Sequence, residues 1–367
     1  MTKTERIPVI DVLRGLSCLG ILLYHIRVDL WVGWNQIQNN PQDYSVWSKY
    51  FAWLSIPTPF LGYAILLFFL ISGFCIHFPY TNAKKKIKWK KYFYRRFWRI
   101  YPTYIAALIV TAVISYFCKV TWHYYSWDPE RIFRVALLTQ NYPPEHGPIW
   151  INPSLWTIPL EVEFYLLYPI IFSCFTSFRA KILVISVFGF FCFSIYLSYI
   201  GILWPSYTFL FFWPVWLIGA WLAMRYRNLK LQNLPNVFLI VCTTIVLILA
   251  ILSYFINWAS WVQYSIWTIF YTLFFILSLN NQNFINFSFM KKIMNFIAWL
   301  GKISFSLYLI HFPLFKLFGF IHRSYFQEKP ANFIITLAYL VPVCFLAWIF
   351  YRLIENPIHQ WSKRLIK

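Results

Sequence analysis

Ten runs of apolar residues divide this chain, each near the roughly 20 residues that a bilayer's hydrocarbon core requires. They fall at about 8–28, 58–78, 100–118, 157–177, 182–200, 207–224, 236–254, 261–280, 296–320 and 332–352. A span in lipid must satisfy its own backbone hydrogen bonds, so each run is predicted to be a helix. Aromatic residues crowd many of the run ends, where a bilayer meets water. Of the 367 residues, 60% are hydrophobic and only 12% charged. A soluble domain carries about 25% charged residues, and a chain this apolar would present large greasy patches to water. The expectation is an all-α polytopic membrane protein with about ten transmembrane helices. Residues 1–367 then form a single transmembrane domain, with no soluble domain.

The formal net charge is +21. In a soluble chain such an excess would suggest nucleic acid. Here the basic residues sit in short loops between apolar runs, which is a topology signal instead. Nucleic acid is therefore set aside as a partner, and membrane lipid takes its place. The stretch "KKKIKWKKYFYRRFWR", 84–99, has nine basic residues and no acid. That loop is expected to face the cytoplasm. Alternation puts "FRAK" (178–181), "RYRNLK" (225–230), "KK" (291–292) and the tail "WSKRLIK" on the same side. Both termini are then cytoplasmic. "MTKTERIPVI" reads as the start of a retained first span, because Arg14 interrupts the run and no small-residue cleavage site follows. The seven cysteines lie almost all in apolar runs and form no CxxC pair, so they read as small buried hydrophobes. Neither a disulfide framework nor a metal site is expected.

Ionisable residues inside spans are costly and mark candidate sites. "DVLRGLSCLGILLYHI", 11–26, carries two. At about 100° per residue, eleven steps return almost to one face, so Arg14 and His25 stack about 16 Å apart. Asp11 can pair with Arg14 one turn away. The plain alternative is a terminal Asp–Arg pair and an interfacial histidine. In "FFLISGFCIHFPY", Gly73 permits close helix approach and His77 is expected at the interface. In "RRFWRIYPTY", Arg96 and Arg99 are either an anchor on anionic lipid or a clamp for phosphates such as those of coenzyme A. Pro102 is expected to open the following helix.

"SLWTIPLEVEFYLLYP" holds Glu161 and Glu163, about 200° apart on a helix, so they cannot share a pocket. Glu161 shares its face with Phe164, Tyr165 and Tyr168. It is either a first-turn carboxylate or one that orients a catalytic histidine. In "GKISFSLYLIHFPLFK", Ser304, Tyr308 and His311 form one polar stripe expected to line a cavity, and Pro313 is expected to kink the helix. "RLIENP" places Glu355 near Arg352 or another basic partner. The connection 119–156 contains "WDPERIFRVALLTQ", which reads as a short amphipathic helix. A connection this long usually covers a site.

These blocks, taken in chain order, resemble those of acyltransferase family 3, whose members include bacterial O-antigen and exopolysaccharide O-acetyltransferases. "RGLSCLGILLYH" is similar to the family's R-x10-H block. "FFLISGF", "RRFWRIYP", "SLWTIPLEVEFY", "SFSLYLIHFP" and "IENP" resemble five further ones. The chain departs in having Glu161-Val162-Glu163 where the family often has adjacent glutamates, so only Glu161 takes the functional role. The resemblance implies a multi-pass protein of the bacterial inner membrane that moves an acyl group, usually acetyl, from cytoplasmic acetyl-CoA or another acyl-CoA. The acceptor would be a hydroxyl of a lipid-linked or surface glycan such as lipopolysaccharide. Arg14, Arg96 and Arg99 would hold the donor. His25 would be the general base, or carry a transient acyl group, with Glu161 as its partner. Ser304, Tyr308, His311 and Tyr165 would line the acceptor cavity. A glycan or lipid transporter (flippase) is the alternative, though no internal repeat of the kind transporters show is visible.

Overall fold

The computed structural model describes residues 7–81, 87–123, 128–143, 152–175, 180–227, 235–281 and 288–365. Several stretches used above lie outside the described residues: 1–6, Lys84, Lys85 and Lys86, Arg179, 228–230 and the last two residues. So does "PEHGPIWI" of the long connection.

The chain is helical throughout its spans. The first half runs α1 Pro8–Leu30, α2 Trp34–Asn39, α3 Val46–Ala52, α4 Ala64–His77, α5 Trp89–Trp122, α6 Pro129–Ala136 and α7 Thr157–Phe175. The second runs α8 Ala180–Tyr199, α9 Phe209–Arg227, α10 Asn236–Phe255, α11 Ser260–Asn280, α12 Ser288–Phe326, α13 Phe333–Ala338, α14 Leu340–Phe350 and α15 Asn356–Leu365. Among the described residues, ten helical stretches are long and apolar enough to cross a bilayer. They coincide with the ten apolar runs, and the protein is an all-α multi-pass membrane protein.

Several boundaries differ from expectation, and α12, for one, runs Ser288–Phe326 rather than 296–320. The helix expected from residue 100 begins at Trp89, so Pro102 lies inside α5 rather than opening it. Its Lys and Arg residues are good helix formers, and their long side chains can snorkel. At 1.5 Å per residue the 34-residue α5 is about 50 Å long, more than the hydrocarbon core. The last span is not one helix. α13 and α14 are followed by a π-helical turn at Tyr351–Glu355.

The core helices are α1, α4, α9 and α12, with α1 against α12 and α4 against α9 as the most extensive pairs. Small residues make these crossings possible. A Cβ on Gly301 would overlap the Asp11 carbonyl oxygen of α1, and one on Gly73 would overlap that of Trp216 in α9. Both neighbours are backbone and cannot swing aside. Gly301→Val is therefore expected to destabilise the α1–α12 pair by about 3 kcal/mol or more, the upper end of ordinary overpacking. A loss of monodisperse protein in size-exclusion chromatography would show it, and a wild-type melting point would refute it. α8 and α10 sit at the rim, where side chains such as Ile185, Phe188, Val237 and Phe238 are exposed.

Two of the prolines inside spans leave carbonyls whose replacement partners are plain. Pro313 has no N–H for the Leu309 carbonyl, which instead accepts from Asn152 Nδ2 at 2.8 Å. Pro169 likewise releases the Tyr165 carbonyl, which accepts from the Tyr92 hydroxyl at 3.3 Å. α12 thus continues through Pro313 as one helix. The amphipathic helix expected in the long connection is α6. Asp128 caps it by accepting from Arg131 N at 3.0 Å, and Tyr104 donates to its Val135 carbonyl at 2.7 Å. His77 is buried against its neighbours. It is 2% exposed, and a ring nitrogen lies 3.1 Å from the Tyr168 hydroxyl.

Candidate active site

Two cavities lie along the axis set by α1 and α12. The first, of about 150 Å³, opens between α1, α4, α5, α7 and α12. Arg14, Arg99 and Lys302 line it with Glu161 and Glu355. Helical spacing builds its polar wall. Tyr165, one turn after Glu161, donates to Glu161 Oε1, and Ser72 Oγ of α4 donates to the same oxygen at 2.8 Å. Ser72 in turn accepts from Trp216 Nε1 at 3.2 Å. The π turn aims Glu355 at α12, where it accepts from the Ser306 N–H at 3.1 Å and from the Ser306 hydroxyl. Arg14 and Arg99 are its electrostatic partners. Arg352 instead packs its guanidinium 5.6 Å from the centre of the Trp348 ring. Arg14 also donates to Cys75 Sγ at 3.4 Å.

Arg96 does not join this cavity. Its guanidinium sits 5.4 Å from the Tyr92 ring and 5.2 Å from the Tyr165 ring. Residues three apart differ by about 60° around a helix. That is enough to send Arg99 into the cavity and Arg96 behind Tyr165. The expected double clamp is therefore a single lining arginine backed by a second.

The second cavity, of about 370 Å³, contains His25 and Arg27 of α1. Aromatic rings make up most of its remaining wall, among them Tyr24, Tyr63, Trp156 and Tyr264. Ile65 and Tyr308 line both cavities. Tyr308 is locked in place: its hydroxyl donates to the Ser154 carbonyl at 2.8 Å and lies 2.7 Å from Thr157 Oγ1.

His25 is not paired with Glu161, which lines the other cavity. Its partner is His311, with His25 Nδ1 2.9 Å from His311 Nε2 and the rings stacked at 5.2 Å. His311 Nδ1 lies 2.8 Å from the Tyr308 carbonyl and 3.2 Å from that of Leu307. Carbonyls only accept, so Nδ1 of His311 carries a proton. Neutral His311 then offers a lone pair at Nε2, and His25 Nδ1–H donates to it. His25 Nε2 is left as the free basic nitrogen. The expected polar stripe is accordingly divided. Ser304 faces the first cavity and Tyr308 both, while fully buried His311 lines neither and stands behind His25.

Glu163 turns away from both cavities, as its spacing from Glu161 requires. It accepts from the Tyr142 hydroxyl and from the Phe209 N–H, each at 2.8 Å, and so ties the long connection to α9. Burial, and then the Glu163 carboxylate, pushes the Tyr142 hydroxyl up from its usual range, so it stays a donor. Spacing alone gave no weight to Ser72, Lys302 and Ser306, although all lie in or beside the motif blocks. The same is true of Arg27, two residues from His25. Periodicity marks the polar residue on an apolar face, not the small hydroxyl that will serve it. Among the described residues, no group of three His, Cys, Asp or Glu side chains is placed to hold a metal ion.

Known proteins match the chain across these cavities. The family model for the acyltransferase domain of acyltransferase family 3 matches residues 7–352. Proteins of Staphylococcus aureus strain COL and strain MSSA476, provisionally named O-acetyltransferases, are 26% and 25% identical to this chain. The alignments cover 98% of the chain but only 58% of the length of those relatives. No solved structure matches. Both cavities lie within the matched residues except for Glu355, just beyond them, and the chain belongs to acyltransferase family 3.

Proposed function

We propose that this protein is an integral-membrane O-acyltransferase of the bacterial inner membrane. It moves an acyl group, acetyl in the simplest case, from cytoplasmic acyl-CoA to a hydroxyl of a lipid-linked or surface glycan. The observation that carries this reading is the pair of cavities. One is lined by Arg14, Arg99 and Lys302, the other holds His25, and Tyr308 and Ile65 stand between them.

The first cavity takes the donor. Its volume suits the acyl group and the end of the thiol arm rather than a whole coenzyme A. The phosphates would lie outside it, among the basic residues that open α5. Arg99 at the cavity wall is the residue best placed to hold the donor's thioester end, because a guanidinium donates charge-assisted hydrogen bonds to a carbonyl oxygen there. Glu161, held by Ser72 and Tyr165, is a fixed hydrogen-bond acceptor in the same wall. The second cavity takes the acceptor sugar, and His25 Nε2 removes the proton of its attacking hydroxyl. His311 holds His25 in the tautomer that leaves Nε2 free.

Purified protein in nanodiscs, given radiolabelled acetyl-CoA and a glycan extract of the host, tests the reading directly. Label transferred to glycan and sensitive to base would support an O-ester. Hydrolysis or binding of acetyl-CoA with no acylated glycan would sink it. Arg99→Gln is expected to raise the KM for acetyl-CoA about 10-fold to 100-fold, the effect of losing one charge-assisted contact. An unchanged KM for acetyl-CoA would remove Arg99 from the donor site.

A further inference from the structure

Arg27 lines the second cavity two residues after His25, and the acyltransferase reading has no use for it. A cation at the wall of a sugar site needs an explanation. Its neighbours hold it without neutralising it. Arg27 Nε donates to the Tyr24 carbonyl at 3.0 Å, and the guanidinium carbon lies 4.9 Å from the centre of the Tyr24 ring. Among the described residues no carboxylate pairs with Arg27, and no acidic side chain lines this cavity. The nearby Asp29 of α1 pairs with Lys316 of α12 instead, at 3.4 Å. The guanidinium is thus positioned by Tyr24 through one edge, with its two terminal nitrogens left for a ligand.

The rest of the wall is aromatic. Tyr63 stacks on Trp267 of α11 with ring centres 5.1 Å apart, and its hydroxyl donates to Gln263 Oε1 at 2.5 Å. The Tyr63 ring is therefore fixed before any ligand arrives. Trp156, Tyr254 and Tyr264 add further flat faces. Sugar rings present C–H faces to such surfaces and hydroxyls to phenol groups, so an aromatic cavity with few charges suits carbohydrate. One guanidinium in it, with no carboxylate beside it among the described residues, adds a demand for negative charge.

We propose that the second cavity selects an anionic glycan, with Arg27 binding a carboxylate or phosphate oxygen of the same sugar unit whose hydroxyl meets His25. This rests on the acyltransferase reading for its account of His25. The anion could come from a sugar acid or from a phosphate-linked glycan, and both present the paired oxygens that a guanidinium fork fits.

Binding of three probes to the full-length protein in zwitterionic nanodiscs tests it by calorimetry: nitrophenyl glucoside, nitrophenyl glucuronide and the phosphate ester of the glucoside. At least one charged probe is expected to bind about 10-fold or more tightly than the neutral one. Arg27→Gln should cut that preference to about 2-fold or less, while Arg27→Lys, which keeps the charge, should retain part of it. A gain for the glucuronide alone would point to a sugar acid, and a gain for the ester alone to a phosphate-linked glycan. Equal binding of all three by the wild type would overturn the proposal, as would a preference that survives Arg27→Gln. Acetyl transfer to the same probes separates the two readings. A charge preference without transfer leaves the anion site standing and removes the acyltransferase. Transfer without charge preference does the reverse.

Discussion

His25→Ala is expected to abolish O-acyl transfer while the protein stays folded in the membrane. General-base catalysis contributes about 10²–10⁴-fold, so the variant should fall at least that far in kcat. The fold should survive, because losing this hydrogen bond and leaving the buried His311 Nε2 unpaired costs about 1–3 kcal/mol, below the roughly 5–15 kcal/mol that holds a protein folded. The measurement is the O-acetyl signal of the glycan by NMR in cells carrying the variant, alongside protein quantity in the membrane. An O-acetyl signal at the wild-type level would refute the base. A transient acyl-histidine would show as label on the wild-type protein after incubation with acetyl donor alone.

His311→Ala should be the second largest loss, through position rather than contact with substrate. His311 Nε2 is what holds His25 in the tautomer with a free Nε2. Without it, His25 can rotate or carry its proton on the wrong nitrogen. A loss of about 10-fold to 100-fold in kcat is expected, as for partners that orient a catalytic or ligating histidine, with the KM for each substrate little changed. His311→Gln should restore part of the rate, because its amide oxygen can accept from His25 Nδ1–H. A merely structural role would reduce the amount of folded protein in both variants alike and leave kcat per folded molecule unchanged. Equal kcat in the alanine and wild-type proteins would end the positioning role.

The ten spans were legible because lipid leaves the backbone one solution. A run of about 20 apolar residues must close its own hydrogen bonds, whatever it packs against. Helix ends were less legible, as α5 shows. Its first three turns are basic and amphipathic, and hydropathy alone cannot tell a helix that leaves the membrane from a loop. The opposed directions of Glu161 and Glu163 also followed from spacing, since both lie on α7, whose geometry is local. So did the amphipathic helix at Pro129–Ala136, though its Asp128 cap was seen only in the structure.

Partnerships across helices were not legible. Glu161 and His25 suit each other by residue type, yet α7 delivers Glu161 to Ser72 and Tyr165 in one cavity and α1 delivers His25 to the other. The stripe Ser304–Tyr308–His311 read as one surface. α12 is crossed by neighbours at several heights, and these divide the stripe between two cavities and the core. Arg96 and Arg99 looked equivalent until Tyr165 stood between them. By itself the sequence determined the number of spans, their helical state, the family to which the blocks belong, and which residues of one helix share a face. The tertiary structure alone decided that His25 meets His311, that Glu355 serves Ser306 beside Arg14 and Arg99, and that Arg27 has no carboxylate partner among the described residues. The physical reason is range. Hydropathy and helical period act within one segment, whereas a hydrogen bond between α1 and α12 joins residues 286 positions apart, and only packing sets which of them meet.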